Sequence, residues 1–269
     1  MMPKPVLRAI QDGIPLVVLS PHLDDAVLSC GAVMACARGR TQVKVVTFFT
    51  EGGRPPYTRS ARRFLQFSGA ADADCLFAAR RQEDVVVLRQ LQAECAHVGL
   101  SDALFRRKPG VRPRWSSRLG ALLPEWDCVY PTYRLHVSSG RIDRHDHATV
   151  QRVCESVQEL ARDSGALLLA PSAIGGHVDH VVVRTAAERS RASAVYYSDF
   201  PYNQNRQPDV GFLRRNHLVE ATWSDRIDVK PGLIRFYETQ MGLLFPREVI
   251  PIAPETYFVR QRDQLDTPC

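Results

Sequence analysis

The sequence predicts an α/β fold: a Rossmann-like three-layer sandwich with a mostly parallel central sheet and a small C-terminal extension. Three observations predict it. Apolar runs of strand length alternate with longer amphipathic segments. The strand-like runs are apolar throughout rather than at every second residue, so both faces of the sheet must be covered. No internal repeat or low-complexity tract competes with this rhythm.

The elements follow in order. Residues 14–20 (IPLVVLS) predict the first strand, and 25–38 a helix, with Val27, Leu28, Ala32, Val33 and Ala35 at helical spacing. Residues 43–49 (VKVVTFF) predict a second strand. The stretch 50–74, rich in Gly, Pro, Arg and Ser, reads as a long loop with room for one helix, and loops of that length in compact domains are often functional. A long amphipathic helix is expected over 80–97, with short strands at 103–105 and 128–130. Residues 147–163 predict a helix stopped by Ser164-Gly165. A buried-type strand at 166–170 (ALLLA), a helix at 180–191 and a strand at 194–198 (AVYYS) complete the core. From about residue 202 Pro and Asn become frequent, with a helix expected over 231–244 and a last strand over 256–260. The expected organisation is one domain over 1–269, its core about 14–200 and a smaller portion about 201–269.

Composition narrows the function classes. The 269 residues suffice for one sizeable core, and 45% hydrophobic with 24% charged residues is ordinary for a globular protein rather than a disordered one. No apolar stretch is long enough to span a bilayer, and no secretory signal is visible, so a cytoplasmic protein without a membrane partner is expected. Seven cysteines, odd in number and without a CxxC, argue against a disulfide framework. The net charge of +6 is spread over scattered arginines without an aromatic-interleaved basic strand, which speaks against nucleic acid. No Walker or G-x-G-x-x-G sequence is present, so the Rossmann-like rhythm does not imply a nucleotide. A homo-oligomer is compatible with the sequence.

The chemistry concentrates at two places. Residues 17–31 (VVLSPHLDDAVLSCG) put His22, Asp24 and Asp25 where a strand ends and a helix begins. Residues 166–183 (ALLLAPSAIGGHVDHVVV) repeat the arrangement with His177, Asp179 and His180. In open α/β sheets ligands bind beyond the carboxyl ends of the strands. Two strands thus deliver imidazoles and carboxylates to one edge, and three ligands plus an open position describe a catalytic zinc site. The alternative at either junction alone is an Asp capping a helix N-terminus beside a surface His.

The paired motifs, strand–[PH-x-DD]–helix and strand–Gly-rich loop–[H-x-DH]–helix, resemble the N-acetylglucosaminyl-phosphatidylinositol de-N-acetylases, the PIG-L or LmbE-like family. Residues 195–202 (VYYSDFPY), Arg80 with Glu83, and Lys230 with Ile234, Tyr237 and Gln240 resemble further family pieces, over most of 14–245. The family's first motif usually reads His-Pro-Asp-Asp-Glu; Leu23 and Ala26 stand at the Pro and Glu positions here, and neither change removes a ligand. The resemblance implies a zinc-dependent deacetylase of an N-acetylated amino sugar or small glycoside, such as an antibiotic or thiol-cofactor intermediate. An amidase of a non-sugar amide and a non-catalytic metal- or carbohydrate-binding relative are the alternatives. It implies His22, Asp25 and His180 as metal ligands, with Fe2+ or another divalent ion as alternatives to zinc. Asp24 is then the free carboxylate placed as general base, or alternatively a further ligand. His177 would stabilise the oxyanion or donate a proton. Asp179 would orient one of the imidazoles, or cap the helix. Arg80 is a candidate substrate contact or the partner of a helix acid. Asp199 is a candidate substrate contact or a turn former. The RIDRHDH segment at 141–147 also offers ligands in Asp143, His145, Asp146 and His147, but it reads as a substrate-facing loop sooner than as a replacement for the second motif; His145 there and Arg54 in the 50–74 loop are further candidate substrate contacts. The loops 50–74, 106–118 and 203–217 are expected to set specificity.

Overall fold

The strand Leu16–Ser20 (β1) lies at the centre of a seven-stranded sheet of order β3-β2-β1-β4-β5-β7-β6. In this computed structural model, which describes residues 1–110 and 124–265, the other strands are β2 (Val43–Glu51), β3 (Glu94–Ser101), β4 (Leu167–Pro171), β5 (Ala194–Tyr197), β6 (Leu218–Trp223) and β7 (Glu255–Arg260). The helices are α1 (Lys4–Asp12), α2 (Asp25–Ala37), α3 (Arg59–Phe67), α4 (Ala73–Gln90), α5 (His147–Ser164), α6 (Val178–Ser190), α7 (Val210–Arg215), α8 (Lys230–Ile234), α9 (Glu238–Leu244) and α10 (Gln261–Leu265). The first five strands run parallel; β7 is antiparallel to both β5 and β6.

Side chains alternate across β1, and both sets are buried, as continuous apolarity requires. Leu16 and Val18 pack with Val27, Val33 and Val6 beneath α2 and α1. Val17 and Leu19 pack with Val153, Val157 and Val183 beneath α5 and α6. The three layers follow from this alternation.

The chain builds outward from β1 through β2 to β3, then returns to place β4 on the other side. β1 and β4 are hydrogen-bonded neighbours, Leu16 pairing with Leu167 and Val18 with Leu169. Loops leaving the carboxyl ends of these two strands diverge to opposite faces and leave a crevice between them. The two chemical junctions therefore share the switch point of the sheet.

The structure departs from the sequence expectations at identifiable places. Residues 80–97 are not one helix: α4 ends at Gln90, and β3 begins at Glu94. The break is made by Gln92 at φ 55°, a left-handed turn without the glycine that normally marks one. Residues 103–105 are a turn after β3, and 128–130 contribute only an isolated bridge from Cys128 to Arg107. The helix expected over 231–244 is two, interrupted where Tyr237 donates to Asp84 and Glu83 accepts from the Thr239 amide and hydroxyl. The C-terminal portion supplies β6 and β7 to the central sheet, so it completes the fold rather than appending to it. Of the 106–118 loop, residues 111–118 lie outside the described residues. Among the described residues the six cysteines are free thiols, and no helix is long and apolar enough to cross a membrane.

Candidate active site

Ser20 closes β1, and its hydroxyl accepts from the Ala26 amide and donates to the His22 carbonyl, which folds the chain sharply into α2. Within that turn the His22 amide donates to Asp25 Oδ2 at 2.8 Å. Asp24 stands at the helix entrance but makes no capping hydrogen bond, so its carboxylate is left for the cleft. At the second junction Gly175 and Gly176 both take positive φ, which L side chains resist, and bring His177 to the head of α6. Here the cap is the His177 ring: Nδ1 accepts from the Asp179 amide at 3.3 Å. Asp179 is thus in the first turn of α6 and is not its cap.

His22 Nδ1 and His180 Nε2 each lie 3.2 Å from Asp25 Oδ2. The rings of His22 and His180 are 5.2 Å apart between centroids. Each imidazole is gripped on its other nitrogen by a carboxylate. His22 Nε2 meets Asp179 Oδ2 at 3.2 Å, with Asp102 Oδ2 at 3.6 Å; His180 Nδ1 meets Asp199 Oδ1 at 2.7 Å. Asp199 is in turn fixed by the Ser172 hydroxyl and the Ile174 amide.

This donor set fits a divalent cation. Nitrogen and oxygen ligands at about 2.0–2.1 Å from a tetrahedral ion sit roughly 3.3 Å apart, close to the two 3.2 Å separations. Holding the far nitrogen of each imidazole by a carboxylate is the usual support of a metal-ligating His. The ring nitrogens of His22, His177 and His180 also fall within 4.8 Å of one another, as do donors of His22, Asp102 and Asp179. Asp25 Oδ2 lies 3.2 Å from a nitrogen of both the His22 and the His180 ring, whereas His177 meets the helix amide with Nδ1.

The surroundings favour positive charge. Burial pulls the His22 imidazole down, but its hydrogen bonds to the Asp179 and Asp25 carboxylates and their charge outweigh it and hold the group up at about 9. His180 behaves alike, burial opposing and Asp25 and Asp199 raising it. Burial, aided by the neighbouring His22 and His180 and only partly opposed by Asp179 and Asp25, pushes His177 well below its ordinary value. Burial lifts the Asp24 carboxyl to about 6, against the pull of Arg80.

A second tier supports the first. Arg106 bridges Asp146 and Asp179 through its two terminal nitrogens, and donates from Nε and one terminal nitrogen to the Ser101 carbonyl. Its guanidinium lies 4.6 Å from the Phe49 ring centre. Tyr130 donates to the same Asp146 at 2.8 Å. Asp179 is therefore clamped between Arg106 and His22, with the Ala103 amide also donating to it.

The cleft above these groups measures about 920 Å³, and His22, Asp24, Asp25, Asp102 and His177 form its floor. Of the sequence candidates, Arg80 faces it, but its partner is Asp24 at 3.6 Å and not a helix acid; Glu83 is occupied by Thr239. Asp199 is buried behind His180 and absent from the cleft lining, so it positions a ring instead of meeting substrate. His145 pairs with Asp143 at 2.7 Å and Arg54 is exposed; neither lines the cleft. The RIDRHDH segment reaches the site through Asp146 alone, by way of Arg106. Sequence reading missed Asp102, Arg106 and Tyr130, and took Asp146 as a candidate ligand where the structure makes it a partner of Arg106. Asp102 had a usable signal, an Asp just past the carboxyl end of a strand, hidden because the start of β3 was read as helix. Arg106 carries none, since its partners Asp146 and Asp179 lie 40 and 73 residues away.

Fold and site together define a Rossmann-like α/β protein with a metal-ready cleft at its topological switch point. The model of the GlcNAc-PI de-N-acetylases (PIG-L) matches residues 17–190, and the chain belongs to that family. The 2'-N-acetylparomamine deacetylase of Streptomyces fradiae is 29% identical over 195 residues, 70% of this chain; the match spans 58% of that longer relative. The enzyme of the same name from Niallia circulans is 28% identical over 248 residues, covering 88% of this chain and 85% of the relative. Among solved structures, a deacetylase of teicoplanin biosynthesis in a complex superposes with a TM-score of 0.70 at 25% identity, over 91% of this chain and 96% of the other. A zinc-inhibited form of a teicoplanin deacetylase gives 0.68 at 25% identity, over 91% and 97%.

Proposed function

We propose that this chain is a zinc-dependent deacetylase that hydrolyses the N-acetyl group of an amino sugar within a small glycoside, of the kind found among antibiotic intermediates. The observation that carries the proposal is a buried carboxylate, Asp24, that caps no helix, has Arg80 as its ion-pair partner and stands beside the converging donors of His22, Asp25 and His180. A module that only bound metal or sugar would need the three donors and not the fourth group. Family membership, the acetyl-sugar deacetylases among its relatives and a cleft open to small molecules support the same reading. Six free cysteines support a cytoplasmic setting, and one sheet shared by both portions of the chain supports a single working unit.

His22, Asp25 and His180 would hold the ion. When bound, zinc polarises the amide carbonyl and acidifies the attacking water. The chain supplies the remaining steps. Asp24 accepts the proton as water adds to the carbonyl carbon, then returns it to the amine nitrogen as the C–N bond breaks, releasing acetate and the free amine. His177 Nδ1 accepts from the α6 amide, so its proton sits on Nε2, and that N–H is free to donate to the oxyanion. Arg80 keeps Asp24 turned into the cleft. Asp179 and Asp199 hold the two ligating rings in the required tautomers.

The test is acetate and amine release from N-acetyl glycosides by the purified chain, before and after chelation, with zinc add-back. Turnover lost on chelation and restored by zinc is expected. Undiminished turnover of the metal-stripped chain, or none with any N-acetyl glycoside, would overturn the proposal.

A further inference from the structure

The cleft has two chemically different ends. Its floor is acidic and buried, as described. Its mouth is formed by α3 and by the turn at Tyr133–Val137, and among the described residues lining it no carboxylate occurs apart from Asp24, Asp25 and Asp102 on the floor. The mouth presents Phe64, Phe67, Tyr133 and Leu135, with Arg63 and Arg134 among them. Phe67 is 65% and Leu135 76% exposed, an unusual cost for large apolar side chains that line one opening. Arg63 lies over the Phe67 ring at 5.3 Å and has no acidic partner among the described residues, nor has Arg134. A second hollow on the outer side of α3 is lined by Arg59, Arg62 and Arg63, so the positive charge extends away from the opening. The mouth is continuous with the catalytic floor, because the Tyr133 ring lies 6.2 Å from that of His177.

These features ask for a particular occupant. A cleft of about 920 Å³ is near the upper end of the ~300–1,000 Å³ of small-molecule sites, enough for a conjugate and not only a hexosamine ring. With the acetamido group on the floor, the remainder of the glycoside lies against the mouth. Exposed aromatic and aliphatic side chains gain by being covered with apolar surface, and unpaired guanidiniums gain from an anion and repel a cation. We propose that the mouth is an aglycone subsite for an aromatic group bearing a carboxylate, which makes the substrate an amphipathic, anionic N-acetylhexosaminide and excludes polycationic aminoglycosides. The inference rests on the deacetylase reading and names the substrate class within it. It sets this chain apart from the relatives named for 2'-N-acetylparomamine.

Magnitudes rank the contributions. Covering one aryl ring is worth roughly ten- to a hundredfold in kcat/KM. One exposed guanidinium facing a carboxylate adds about two- to fivefold. The experiment compares four N-acetyl substrates: 4-carboxyphenyl, phenyl and methyl N-acetyl-β-D-glucosaminides, and 2'-N-acetylparomamine. Expected kcat/KM falls in that order, with the largest step between phenyl and methyl. In Phe67→Ala the phenyl-to-methyl ratio shrinks at least severalfold, and in Arg63→Glu the order of carboxyphenyl and phenyl reverses. Both positions are on the surface of α3, so folding is not at stake. Calorimetric binding of the same four compounds to Asp24→Asn gives the ranking without turnover. If none is turned over yet the binding order holds, the deacetylase reading falls and the subsite stands. A flat ranking, a preference for 2'-N-acetylparomamine, or Phe67-dependent sedimentation with phosphatidylglycerol vesicles alongside a flat ranking would overturn the subsite.

Discussion

The two strand–helix junctions at the switch point look like copies, but they divide the labour. The β1–α2 junction supplies one imidazole and two of the floor's three carboxylates, and its turn is held by Ser20 and by the Asp25 side chain itself. The β4–α6 junction supplies the other two imidazoles, set up by a glycine loop and a ring-nitrogen cap. More telling is the cross-strapping. Asp179 from the second junction orients His22 of the first, while His180 leans on Asp25 across the cleft and on Asp199 from β5's end. Neither junction is a site alone. Each provides the counter-charge that keeps the other's buried groups in place, so the two stand or fall together.

The largest effect should come from removing the group that belongs to only one junction. Asp24→Asn is expected to lower kcat by about 10²–10⁴-fold while zinc content, read by elemental analysis, is retained. Loss of zinc instead would make Asp24 a ligand and even out the asymmetry between the junctions. Next come the straps. Asp179→Asn and Asp199→Asn should each weaken zinc affinity by about 10–100-fold in competition with a chromogenic chelator. Equal losses would confirm that both rings depend on a remote carboxylate; no loss in one would show that junction to be self-sufficient. Arg106→Gln should destabilise the fold by roughly 3–5 kcal/mol in urea titration, because Asp146 loses its cationic partner and Asp179 keeps only His22. A change under 1 kcal/mol would mean that the second tier carries little of the site's order. The smallest effects belong to residues outside both junctions: Arg54→Ala and His145→Ala should shift stability by no more than about 0.5 kcal/mol and leave turnover as it was.

How much of this was legible depended on the range of the interactions involved. The junction residues were readable because strand end, turn and helix start are adjacent in sequence, and their side-chain chemistry stands out against apolar flanks. Asp102 was hidden because the Gln92 turn uses an ordinary residue at positive φ, so nothing in 80–97 announces that a helix ends and a strand begins. Asp199 was noticed for its place at a strand end and given the wrong neighbour. From sequence, such an Asp can face substrate or the back of a His equally well, and only the 2.7 Å contact to His180 decides. His145 stood out as a His in a polar loop, whereas the working member of that segment is Asp146, buried under an arginine 40 positions earlier. The C-terminal strand β6 mixes buried, partly exposed and exposed residues beside β7, a weaker pattern than the continuous apolar runs of the core.

By itself the sequence determined the layered α/β architecture, the edge of the sheet where chemistry gathers, and the six side chains at the two junctions. These follow from local periodicity and from the residues at strand ends, which act over a few positions. Tertiary structure decided which carboxylate serves which imidazole, that Arg80 turns to Asp24, and that the mouth is apolar and basic where the floor is acidic. Those outcomes depend on buried charges finding partners across the fold, and the cost of leaving such a charge unpaired is settled only when distant elements have come together.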